Sequence, residues 1–67
     1  MEFCPECGRK LEHITTIFEG YKGIIHIDIY ICKKCNQVWV QELHTIDQSV
    51  KIYPSTMSIE EALALKH

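Results

Sequence analysis

The stretch Ile31-Cys32-Lys33-Lys34-Cys35-Asn36-Gln37-Val38-Trp39-Val40, ICKKCNQVWV, decides the fold. It joins a run of isoleucines to a strand-like Val-Trp-Val through a pair of cysteines. Upstream, Ile25, Ile27, Ile29 and Ile31 alternate with His26, Asp28 and Tyr30. A period of two puts the isoleucines on one face of a half-buried strand, expected over Ile24 to Ile31. The thiol pair therefore ends a strand, and Asn36 marks a turn before the next one.

Upstream lies the other arm, also eight residues long. Leu11 to Phe18, LEHITTIF, is rich in β-branched residues and reads as a strand. Glu19 to Gly23, EGYKG, carries the glycines of a turn. Two arms of equal length return the chain to its starting end after about 26 Å, at about 3.3 Å per residue. Cys32 and Cys35 then come back beside Cys4 and Cys7, in Cys4-Pro5-Glu6-Cys7-Gly8. The simplest register sets Leu11 against Ile31, His13 against Ile29, Thr15 against Ile27 and Ile17 against Ile25.

Four thiols at one end of a hairpin suit one tetrahedral ion, with Zn–S of about 2.3 Å. The spacing C-x2-C, 24 residues, C-x2-C is close to a zinc-site pattern. Cys4, Cys7, Cys32 and Cys35 are the expected ligands of a structural Zn2+. Gly8 and Asn36 follow the two pairs, and both tolerate left-handed backbone. Four thiolates around Zn2+ carry excess negative charge, which Arg9, Lys10, Lys33 and Lys34 are placed to offset. The same ligand set also suits iron.

Size makes a staple valuable. A chain of 67 residues is one domain at most, and such domains bury only about 60% of their unfolded surface. The N-terminus shows no apolar run of signal-peptide length, and no stretch approaches a membrane span. The expectation is the cytoplasm, where paired cysteines hold metal more often than disulfides. An exported protein with two disulfides is the competing reading.

Downstream, Gln37 to Ile46 reads as a third strand and Asp47-Gln48-Ser49 as a turn. Val50 to Tyr53 is a short fourth strand, ended by Pro54. Ser58, with Glu61 three residues on, is a capping-box pattern before Ile59, Ala62, Leu63 and Leu65.

From Phe3 to about Ile46, the motifs CPECG and YICKKCNQVWV resemble the zinc-ribbon family. The likeness implies a small mostly-β domain: an antiparallel sheet of three to four strands with two zinc knuckles at one end. Here it would span residues 1–53, with a C-terminal extension over 54–67 bearing a short helix, 58–66. Asn36 replaces the family's usual Gly, and the second pair lacks the Pro of a Cys-Pro-x-Cys turn; neither change removes a ligand. Family members occur in transcription factors, polymerase subunits, ribosomal proteins and small protein-binding adaptors.

A closed four-sulfur shell leaves no place for a catalytic water, so no enzyme is expected. His13, His26 and His44 read as strand side chains, with His26 and Asp28 a weak carboxylate–imidazole pair. The formal charge of −2 is spread along the chain and argues mildly against a strong nucleic-acid binder. The expected role is a zinc-binding adaptor or regulator acting through a protein partner near transcription or translation machinery. The partner would pair with an edge strand such as Val38 to Ile46 or take the segment Met57–Leu65 as a helix; a homodimer would use the same elements. The alternatives are direct nucleic-acid binding through Tyr21, Lys22, Tyr30, Lys33, Lys34 and Trp39, and a rubredoxin-like iron electron carrier.

Overall fold

The computed structural model describes residues 1–66; His67, the last residue of the expected extension, lies outside the described residues. Four antiparallel strands form one sheet in the order β1-β2-β3-β4. They are β1 (Glu12–Glu19), β2 (Ile25–Cys32), β3 (Gln37–His44) and β4 (Ser49–Ser55), followed by the helix α1 (Ile59–Ala64). Among the described residues no helix is long and apolar enough to cross a membrane.

The isoleucine alternation builds the core as expected. Ile29 and Ile31 of β2 face Val40 and Val38 of β3, and all four are buried with Ile14 and Ala62. The helix α1 covers this face, against β2 and β3. Ala62 is fully buried; its small side chain lets the helix backbone approach the sheet, while Met57, Ile59 and Leu65 pack around it. The helix thus docks on its own sheet. Ser58 caps it through the full capping box with Glu61. Ser58→Ala is expected to cost about 1 kcal/mol, seen as faster amide exchange at Glu61 and Ala62 with strand amides unchanged.

The hairpin register differs from the simplest one. Thr15 faces Ile29 and Ile17 faces Ile27, while Glu12 faces Ile31 and His13 faces Tyr30. Over most of the hairpin the shift is two residues, so the faces are preserved. Near the cysteines a β-bulge between His13 and Thr15 absorbs an extra residue, Ile14. The bulge turns Ile14 into the core beneath the helix, whereas Leu11 packs with Cys4, Cys32 and Trp39 on the opposite side. Leu11 is therefore a wall of the cysteine cluster and not a partner of Ile31.

Two strand ends also differ. The third strand stops at His44, because Thr45 turns back and its N–H and hydroxyl both donate to the Ile24 carbonyl, at 2.9 and 2.8 Å. The fourth strand runs through Pro54 to Ser55, which a proline permits on an edge strand. Most consequentially, β3 lies between β2 and β4. The expected edge strand Val38 to Ile46 is not an edge: Val38 to His44 are paired on both sides, and Thr45 and Ile46 lie in the turn beyond. The edges are β1, interrupted by its bulge, and β4, which carries Lys51 and Pro54. Bulges, lysines and prolines are common guards against strand-to-strand pairing.

Candidate metal centre

Two knuckles form the site. In the first, the Gly8 N–H donates to the Cys4 carbonyl at 2.9 Å and the Cys4 N–H to the Arg9 carbonyl at 2.8 Å. A bridge between Phe3 and Lys10 closes its base. Gly8 takes φ 76°, a left-handed value that glycine adopts without a Cβ clash. The second knuckle is the Lys33–Asn36 turn that joins β2 to β3, closed by the pairing of Cys32 with Gln37. Asn36 there takes φ 53°, so it does fill the place that Gly8 fills in the first knuckle.

The hairpin brings the two knuckles together. The sulfurs of Cys4, Cys7, Cys32 and Cys35 all lie within 4.8 Å of one another. Across the knuckles, Cys7 and Cys32 lie 3.5 Å apart and Cys4 and Cys35 3.9 Å apart. A tetrahedral ion with bonds of about 2.3 Å would hold its sulfurs about 3.8 Å apart. The donor set therefore fits one thiolate-bound metal ion, with all four expected ligands converging. All four cysteines are free thiols.

Their environment favours ionisation unevenly. Burial pushes the Cys4 thiol up, but the backbone N–H groups of Cys7 and Glu6, with the Cys32 and Cys7 thiols, outweigh it, and Cys4 falls to about 7. Hydrogen bonding with Cys7, together with burial and the other thiols, raises Cys35 to about 12. One thiol ready to ionise and one reluctant is the arrangement expected when four sulfurs share too few positive charges. A bound cation would favour all four thiolates and displace the remaining protons.

Positive side chains collect beside the cluster. Arg9, Lys10, Lys33 and Lys34 line a cavity of about 190 Å³ together with Glu12, Ile31 and Cys32. Lys33 Nζ lies 3.8 Å from the Glu12 carboxylate, both exposed. Cations from both knuckles thus lie beside Cys32, on one side of the place where the thiolate charge would build up.

The other candidate residues are dispersed. Trp39 is only 5% exposed, in the cluster with Cys4, Leu11 and Cys32. Tyr21 and Lys22 lie at the opposite end of the hairpin from Lys33 and Lys34, so the six aromatic and basic positions form no single surface. Asp28 pairs with His13 across β1 and β2, at 3.1 Å, and accepts a hydrogen bond from Thr16. His26 instead packs edge-on against Phe18, with ring centroids 4.8 Å apart. The cross-strand register chose the His13 partner, which neighbour spacing along one strand does not reveal. Comparison with protein-family models, curated proteins and solved structures returns no match.

Proposed function

We propose that the chain is a small zinc-binding adaptor whose Zn2+ is structural and whose work is protein contact. We set such work near the transcription or translation machinery, a reading supported by the zinc-ribbon resemblance of CPECG and YICKKCNQVWV. A closed tetrathiolate shell would offer no open coordination position, so the module binds and does not catalyse.

The observation that carries this reading is the uncovered face of the sheet. Phe18, His26, Leu43 and Val50 are successive cross-strand partners, so they form one row across all four strands. Ile52 lies on the same face, two residues from Val50. Phe18 is 63% exposed, Val50 51% and Ile52 49%. The helix covers the other face, and apolar side chains grouped in the open mark contact surfaces. Affinity capture from the native cell should recover a protein set with the wild-type chain and lose it with Phe18→Asp/Ile52→Asp. Recovery of the same proteins at the same level by the double variant contradicts the reading.

Direct nucleic-acid binding is favoured by one feature, the four cations around the knuckle cavity. If they contact phosphates, affinity for a single-stranded oligonucleotide falls steeply as salt rises. Absence of binding at low salt removes this alternative.

A further inference from the structure

Trp39 carries the one buried side-chain polar atom that lacks a hydrogen-bond partner among the described residues, its indole Nε1. An N–H shut away from water without an acceptor is a penalty that folded proteins rarely keep. Its surroundings are unusual in what they offer. The cluster around it holds Cys4, Cys32 and Leu11, with Cys7, Cys35, Tyr30 and Met1 partly buried at its margin. It is thus rich in sulfur.

As thiols, these sulfurs satisfy one another through the 3.5 and 3.9 Å contacts. Binding of a metal would convert them to thiolates, which donate nothing and accept strongly. The backbone N–H groups of Cys7 and Glu6 already serve Cys4. The remaining thiolate charge, half of it on the buried Cys4 and Cys32 sulfurs, then lies in the packed group that contains an unused donor.

We propose that the Trp39 indole N–H is an outer-sphere hydrogen-bond donor to the thiolates of the metal-bound protein. Trp39 is in this role a positioning residue: it touches the ligands' charge and not the metal. Donors of this kind orient ligands and typically change metal affinity about 10- to 100-fold when lost. The proposal also accounts for a tryptophan, where a phenylalanine would fill similar space without an orphaned donor. It rests on the four-sulfur reading of the site.

The test uses the full chain loaded with the NMR-active isotope of cadmium. The cadmium chemical shift reports whether four sulfurs bind the ion. A proton–cadmium correlation from the indole N–H then reports a hydrogen bond to a ligand sulfur. Because Trp39→Phe removes bulk as well as the donor, a second protein carries benzothienylalanine at position 39, the same shape without the N–H. The expected results are a tetrathiolate shift, an indole correlation, and about tenfold weaker metal binding in the isostere by chelator competition. A tetrathiolate shift with no indole correlation and unchanged affinity overturns the proposal and leaves the metal site standing. A shift showing fewer than four sulfurs overturns the site itself, and the proposal with it.

Discussion

Removing the metal with a chelator is expected to unfold the chain. Among the described residues ten hydrophobic side chains are buried, and two of them, Cys4 and Cys32, belong to the candidate metal site. A core of that size leaves little margin, since domains are stable by only about 5–15 kcal/mol even when larger. Structural zinc contributes on the order of 10 kcal/mol, comparable with the whole. The linkage is also geometric. The first knuckle packs on the sheet through Cys4 and Leu11, against Cys32 and Trp39, so without a metal its sulfurs have little else to hold them to Cys32 and Cys35. Far-ultraviolet circular dichroism under reducing conditions should show one cooperative loss of strand signal as chelator rises, reversed by added Zn2+. Cys32→Ser should reproduce the unfolded spectrum with metal present. A chain that keeps its strand signal in excess chelator contradicts this expectation.

Ile31→Ala is expected to be the most damaging substitution outside the cysteines. Ile31 is 1% exposed and faces fully buried Val38 beneath the helix. It also directly precedes Cys32, so a cavity there loosens the strand that delivers a ligand. Truncating such an isoleucine costs about 2–5 kcal/mol. Denaturant unfolding of the metal-loaded protein measures it, with Ile52→Ala as the control: Ile52 is 49% exposed and should cost no more than about 0.5 kcal/mol. Equal losses in the two variants would mean that the sheet face under the helix is not the core.

The features that were legible from the residues are those carried by spacing. Two arms of eight residues bring CPECG back to ICKKC whether or not the register slips by two, so the ligand set survives an error in pairing. The capping box at Ser58 and Glu61 is likewise local, and it formed. What was not legible depends on tertiary choice. The bulge at Ile14 follows from the competing demands of the helix face for Ile14 and of the cysteine cluster for Leu11, and residue-by-residue alternation conceals it. The interior position of β3 follows from β4 pairing with it, which a short run broken by Pro54 signals only faintly. Trp39 between two core valines belongs to the opposite face by parity alone; that this face is buried depends on the first knuckle folding over it.

The central claim is that Cys4, Cys7, Cys32 and Cys35 hold one metal ion between two knuckles. X-ray absorption at the metal edge of the protein purified from its native cell tests it most directly, since the edge energy names the element and the fine structure counts its neighbours. The account predicts a zinc edge with four sulfurs at about 2.3 Å. A site with nitrogen or oxygen neighbours, or with fewer than four sulfurs, would contradict it.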